Sequence, residues 1–205
     1  MLAKTITGYI IITIFALSAC SQTKTTINNF TAPEFKLEAT RTVALIKLDA
    51  EYLSEDEIAI ADAKFLKEIE TRFKDIKFYD AASVSKTLKE KNIGNVWDSF
   101  WKNYISTNNV DETLLFDLAE ELKVNAVLHG QVIEVNKVYG EHRKTIGETT
   151  AKMKYALFSL KSGKLLWEAT VTGTQANAHS DQPVPKAIEA VNIAVINLVE
   201  ELPFE

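Results

Sequence analysis

The sequence has little of what nucleotide or nucleic-acid binding requires. Its seven glycines are scattered, and no G-x-x-x-x-G-K-[ST] phosphate-binding loop occurs among them. The formal net charge is -5, whereas a domain that binds a phosphate backbone is normally basic. A single cysteine leaves no disulfide within the chain. These absences exclude P-loop chemistry and argue against a nucleic-acid partner.

Residues that could catalyse a reaction or bind a metal are also sparse. His129, His142 and His179 lie far apart, without an H-E-x-x-H pattern, so each is predicted to be an isolated surface or strand histidine. Residues 83–86 and 99–102 both match S-x-x-K, but the S-D-N and K-T-G partners of that motif are missing. We therefore predict no catalytic residue, no metal and no cofactor, and we expect a protein that is not an enzyme.

The N-terminal segment predicts export and lipidation. Residues 6–17 form an apolar run behind Lys4 that is shorter than the about 20 residues of a bilayer span and is typical of a signal peptide. The run ends in Leu17-Ser18-Ala19-Cys20, which resembles the bacterial lipobox. This resemblance implies a signal peptide over residues 1–19 and a lipidated Cys20 as the new first residue. The alternative is a buried anchor helix that contains a cysteine by chance.

Lipidation predicts where the protein lies. One acyl chain binds membranes only weakly, at about 10⁴ M⁻¹, whereas the diacylglyceryl group that a lipobox implies gives stable attachment. Ser21, rather than aspartate, follows the cysteine. By resemblance to enterobacterial sorting, this implies the outer membrane, with the domain in the periplasm, or the cell membrane where there is no outer membrane. Residues 20–40 are predicted to be the lipidated cysteine and a flexible tether. Within the tether, Phe30 and Phe35 either pack against the domain or are scattered loop residues.

The rest of the chain, residues 41–205, predicts one α/β domain. Compact apolar or alternating runs predict strands, and apolar residues at spacings of three and four predict helices between them. Ser54 and Glu57 form a capping box at the first helix, and Asp80 can cap the second. The predicted strands are residues 42–48, 76–79, 124–135, 149–160 and 165–174. The fold class is α/β, a single-domain mixed sheet of about five strands flanked by helices.

Two segments are candidates for partner binding. Trp97 and Trp101, four residues apart and followed by Tyr104, share one helix face, which predicts either core packing or an exposed aromatic patch that anchors a partner. The second candidate is the polar loop at residues 136–147. The candidate partner-binding residues are Trp97, Trp101, Tyr104, Tyr139, His142 and Arg143.

Several phrases of the sequence carry a family resemblance. They are Val43-Ala44-Leu45-Ile46, residues 119–132 (AEELKVNAVLHGQV) and residues 157–167 (LFSLKSGKLLW), which include Gly130, Gly163 and Trp167. Over residues 41–202 the chain resembles bacterial envelope proteins that include the curli-secretion lipoprotein CsgG, the penicillin-binding protein activator LpoB and the TolB amino-terminal domain. The resemblance implies a TolB amino-terminal-like fold.

Two departures from this family limit the function. The insertion at residues 136–148 is short and polar, without the about ten-residue alternation of a membrane β-strand, so no pore is expected by the CsgG route. The tether is shorter than the one expected in the penicillin-binding protein activator LpoB. We therefore expect a membrane-anchored, non-enzymatic adaptor or assembly component of the cell envelope that binds an envelope protein. The alternative is an oligomeric subunit of a secretion or trans-envelope complex, in which the chain is a homo-oligomer.

Overall fold

The computed structural model describes residues 28–33, 35–36, 40–141 and 145–204. The predicted signal peptide, Cys20, His142 and Arg143 lie outside the described residues. The strands are β1 (Asn28–Thr31), β2 (Thr42–Leu45), β3 (Lys77–Tyr79), β4 (Ala126–Val138), β5 (Glu148–Ser159) and β6 (Leu165–Ala176). The helices are α1 (Glu55–Arg72), α2 (Ala81–Glu90), α3 (Gly94–Thr107), α4 (Glu112–Leu122) and α5 (Ala187–Glu201).

One mixed sheet organises the described residues. Its strand order is β1-β6-β5-β4-β2-β3, in which β2 is parallel to β3 and β4 while the other pairs are antiparallel. The predicted fold class is therefore confirmed. The sheet has six strands rather than about five, because β1 lies in the segment that was predicted to be tether. Its four residues, Asn-Asn-Phe-Thr, are all exposed and show no apolar alternation that would have revealed a strand.

Helices cover the sheet on both faces. Alternate residues of a strand point to opposite faces, so Tyr155 and Leu157 pack in one core with α1 and α5, while Ala156 and Phe158 pack in the other with α2, α3 and α4. None of these described helices is long and apolar enough to cross a bilayer. The result is a sandwich of three layers whose two cores are divided by the sheet.

Local signals place the helices. The predicted capping box is confirmed, since the Glu57 amide donates to Ser54 Oγ (3.3 Å) and the Ser54 amide donates to Glu57 Oε2 (3.0 Å). Asp80 accepts from the Ser83 amide at 2.8 Å, as predicted. Such caps stabilise a helix by about 1 kcal/mol each. Helix α5 begins at Ala187, and the Pro185 carbonyl just before it accepts a hydrogen bond from Thr149 Oγ1 on β5.

Helix α5 approaches the sheet at Gly173. A β-carbon at this position would lie 2.2 Å from the Ala190 carbonyl oxygen and 2.3 Å from the Ala194 amide nitrogen. Only a glycine permits this contact, and the small Ala190 and Ala194 side chains complete it. This close approach packs α5 against the part of β5 and β6 that lies near Gly173.

The three long strands β4, β5 and β6 extend beyond the helices of the second core. Near Ala126 both faces of β4 are buried, but from Glu134 to Val138 most side chains are exposed or half-buried. On β5, Lys152 is exposed and faces away from α5. We call the part of these strands that α2, α3 and α4 cover the covered half. The part beyond these helices, around Glu134 and Lys152, is the open half.

Candidate functional site

The structure corrects the prediction of an exposed aromatic patch on α3. The side chains of Trp97, Trp101 and Tyr104 are only 1%, 2% and 1% exposed. They pack on Phe158, whose ring centre lies 4.9 Å from that of Tyr104. Core packing, the alternative stated from the sequence, is what the fold adopts, because this face of α3 covers the sheet.

A groove of about 690 Å³ lies beside these aromatic rings. One wall is the chain that leaves β2, from Ile46 to Glu51, and the other is the end of α2 with the first turns of α3. Its floor includes Trp97, Trp101 and His129, and its rim includes Asp49, Asp98 and Lys102. Large concave sites of this kind are where ligands and partner segments bind in most proteins.

Buried hydrogen bonds fix the floor of the groove. Trp97 Nε1 donates to His129 Nδ1 at 3.1 Å. Since an indole N–H can only donate, His129 carries its proton on Nε2, which donates to the Lys47 carbonyl at 3.1 Å. Burial lowers the pKa of His129 to about 3. The imidazole is therefore neutral at physiological pH, and it joins β4 to the wall of the groove rather than acting as a base.

A second, half-buried group supports the same wall. The Asp62 carboxylate on α1 accepts from the Leu48 amide at 3.2 Å. Burial raises the pKa of Asp62 to about 6, against the lowering effect of this hydrogen bond. His129 and Asp62 thus hold Lys47 and Leu48 through main-chain hydrogen bonds, which pre-organises the segment that carries Asp49.

The rim of the groove has charges of both signs. Burial is the main cause that raises the pKa of Asp49, with a further contribution from Glu51 and an opposing one from Lys102. Asp98 and Lys102 lie four residues apart on α3, each next to a buried tryptophan. The described residues include no group of three or more His, Cys, Asp or Glu side chains that could hold a metal ion. The arrangement is suited to binding a charged segment.

The sequence did not indicate this rim. Asp98 and Lys102 look like ordinary solvated residues of an amphipathic helix, and Asp49 looks like a loop residue. The available signal was their position in the sequence, since Asp98 directly follows Trp97, Lys102 directly follows Trp101, and Asp49 directly follows the strand predicted at residues 42–48. Only the packing of α3 against the segment that follows β2 brings the three side chains to one groove.

The other predicted contact region, residues 136–147, begins with the last three residues of β4, and several of its described side chains are exposed. Tyr139 is 70% exposed, Val138 49% and Ile146 45%. Partner contact through Tyr139 stays a prediction, as does contact through His142 and Arg143, which the structure does not describe. We call the exposed side chains of Val138, Tyr139 and Ile146 the hairpin tip.

Comparison with known proteins gives fold similarity only. No family model matches the sequence, and no curated protein matches it. Among solved structures, the PelC dodecamer from Paraburkholderia phytofirmans is 14% identical, with 87% of this chain and 96% of that chain covered and a TM-score of 0.45. Lipoprotein GNA1162 from Neisseria meningitidis is 18% identical, with coverages of 78% and 99% and a TM-score of 0.48. The LpoB C-terminal domain from Escherichia coli is 9% identical, with coverages of 64% and 81% and a TM-score of 0.38. At these identities and TM-scores, the similarities assign no function to this chain.

Proposed function

We propose that this chain is a lipid-anchored protein of the bacterial cell envelope that binds another envelope protein, as an adaptor or assembly component, and catalyses no reaction. The lipobox that ends at Cys20 supports the anchor, and Ser21 favours the outer membrane with the domain in the periplasm. The observation that carries the binding function is the groove, whose aromatic floor is fixed and whose rim is charged.

The chemistry of the groove defines the partner segment. Trp97, Trp101 and His129 form a rigid floor, so binding costs little ordering of the floor itself. Asp49 and Asp98 on the rim suit basic side chains of the partner, and Lys102 suits an acidic one. Charges on the rim of an interface set orientation and association rate more than affinity. The expected occupant is therefore an extended peptide segment of the partner with charges of both signs, and no cofactor is required.

Photo-crosslinking in intact cells tests this function. A photo-reactive phenylalanine analogue replaces Asn95, an exposed residue that lines the groove. We expect one adduct of defined mass, because a specific partner segment lies against this position. Asp98→Lys together with Lys102→Glu should abolish the adduct, since the reversed charges repel the partner.

The control places the same analogue at Lys67, which is exposed on α1 and does not line the groove. It should give no adduct of the same mass. Equal labelling at both positions would contradict binding in the groove, as would an adduct that survives the charge reversal. An adduct with twice the mass of the chain would identify a second copy and favour the oligomeric alternative, which light scattering of the detergent-solubilised protein then checks.

A further inference from the structure

A second cavity lies beside the groove, between α1 and α2. Its volume is about 310 Å³, and its walls are largely apolar. Ala59, Ala63 and Leu66 of α1 line one side, and Ala81 and Ala82 of α2 line the other. Because the alanine side chains are short, they leave space between the two helices. We call this space the α1–α2 cavity.

The Asp62 carboxylate lies in this cavity with part of its hydrogen-bonding capacity unused. A carboxylate can accept about four hydrogen bonds. Among the described residues, only the Leu48 amide donates to Asp62, at 3.2 Å to Oδ1 and 3.4 Å to Oδ2. Burial raises the pKa of Asp62 to about 6, because the charged form is partly removed from water. A cationic donor in the cavity would offset this cost.

The charges around the cavity favour a cation. The described residues that line it include three carboxylates, those of Glu55, Asp62 and Asp80, and one lysine, Lys47. Glu55 accepts from the Lys47 ammonium group, so this lysine is already paired. Hydrogen bonds from the hydroxyl and the amide of Ser83 lower the pKa of Asp80, which keeps it ionised. This balance of charge attracts a cationic group and repels an anionic one.

The geometry at Asp62 favours an ammonium group over a guanidinium group. Arginine binds a carboxylate best through two parallel hydrogen bonds, one to each oxygen. The Leu48 amide lies near both oxygens of Asp62, so it occupies the edge that this arrangement requires. A lysine ammonium group needs only one oxygen, and its four-carbon stem can pack along the alanine walls.

We propose that the α1–α2 cavity binds a lysine side chain of the partner segment that occupies the groove. The inference deepens the proposed function and rests on it, because the groove holds the rest of the segment. Lys47, Glu55 and Ser85 line both the groove and the cavity, so the two adjoin each other. An extended segment in the groove therefore reaches the cavity with one long side chain, whose ammonium group lies against Asp62.

Methyl NMR tests the proposal with a lysine probe. The lipidated full-length protein in detergent, labelled with ¹³C at its alanine methyl groups, is titrated with Nα-acetyl-lysine N-methylamide at about pH 7.5, where Asp62 is ionised. We expect the Ala59, Ala63 and Ala82 signals to shift together, with a dissociation constant on the order of 1 mM for a ligand of this size. Ala178, which is exposed outside the cavity, should not shift. No shift at the three cavity positions up to about 50 mM would overturn the proposal.

Two matched probes separate the charge from the apolar contact. The norleucine analogue has the same four-carbon stem without the ammonium group, and the arginine analogue carries a guanidinium group instead. Each should bind roughly tenfold more weakly than the lysine probe, since neither places an ammonium group on Asp62. Equal binding of either analogue would overturn the proposal.

Asp62→Asn tests the carboxylate itself. The variant removes the charge but keeps an oxygen that can accept from the Leu48 amide, so the wall of the groove is retained. It should bind the lysine probe and the norleucine analogue equally. An unchanged preference for the lysine probe would overturn the proposal, and wild-type positions of the other alanine methyl signals check that the variant is folded.

The groove and the cavity can fail separately. Ala63→Leu fills the cavity from the exposed side of α1 and changes no residue that lines the groove. It should lower the yield of the Asn95 crosslink several-fold, whereas Ala63→Ser, which leaves the cavity open, should not. If Ala63→Leu crosslinks as well as the wild type, the cavity proposal alone is overturned. If the wild type forms no adduct at Asn95, the groove function is wrong, and the partner's lysine with it.

Discussion

The covered and open halves of β4 and β5 have opposite constructions within the same two strands. In the covered half, large rings pack around Phe158, and both ring nitrogens of His129 form internal hydrogen bonds. In the open half, Glu134 and Lys152 face each other across the strands, and the exposed apolar side chains are at the hairpin tip. The first half fixes the shape of a groove, and the second presents a surface. Burial, rather than strand sequence alone, therefore distinguishes structural residues from contact residues.

The largest expected effect is in the covered half. Trp101→Ala should lower the free energy of unfolding by about 3–5 kcal/mol, because it removes a fully buried ring and leaves a cavity. Urea unfolding at equilibrium measures it. Lys102→Ala, the next residue of α3 and exposed, is the control and should change the stability by less than about 0.5 kcal/mol. Similar values for both variants would show that the α3 face is not core.

His129→Ala tests the hydrogen-bonded floor. We expect a loss of about 2–4 kcal/mol, since Trp97 Nε1 and the Lys47 carbonyl lose their shared partner and a cavity forms. His129→Asn, which can retain an acceptor for Trp97, should lose less. The measurement is again urea unfolding, at pH 8, where the histidine is neutral in both states. A loss no larger than that of a surface substitution would contradict the assigned role.

The raised pKa of Asp62 predicts that the free energy of unfolding depends on pH with a definite sign. Its pKa is about 6 in the folded chain against an ordinary value of 3.8, so folding binds a proton between these values. This stabilisation by proton binding is fully present below about pH 4 and is lost as the pH rises through about 6, a loss on the order of 3 kcal/mol. Asp62→Asn should remove this part of the pH profile.

The Asp62 effect is read as a difference between variants. His129 acts in the opposite sense, since its pKa is depressed and the unfolded chain gains a proton below its ordinary value of 6.5. The free energy of unfolding is measured for wild type and Asp62→Asn at pH 4 and pH 7. The difference between the two proteins cancels the contribution of His129, which both contain. Thr71→Ala, an exposed substitution on the same helix that removes no titratable group, should run parallel to the wild type. A parallel Asp62→Asn profile would show that the carboxylate is not desolvated.

The smallest expected effect compares two lysines on the same face of β5. Lys154 Nζ lies 2.8 Å from Glu168 Oε2, and Glu168 also accepts from the Tyr104 hydroxyl. Lys154→Ala should cost about 1–2 kcal/mol, because it breaks a partly buried network. Lys152→Ala, in the open half, should cost less than about 0.5 kcal/mol. An equally large loss at Lys152 would show that the open face is covered in solution, for example by a second copy.

The sequence could predict the features that are local. Periodicity and caps such as the Ser54–Glu57 box located α1, and compact apolar or alternating runs located β5 and β6. It could not locate β1, whose four exposed residues belong to the sheet only through pairing with β6. It could not decide between core and surface for Trp101, since the spacing on α3 is the same in both cases. The rim of the groove depends on contacts between distant segments, which no local pattern encodes.

The most direct test of the whole account is membrane fractionation of wild type and Cys20→Ala expressed at equal levels. The anchor predicts that the wild-type chain pellets with membranes, resists salt and alkali, and is released only by detergent. Cys20→Ala should lose this detergent-dependent behaviour, because it removes the acyl chains that provide stable attachment. Identical fractionation of the two chains would contradict the lipid anchor, and with it the proposed envelope function.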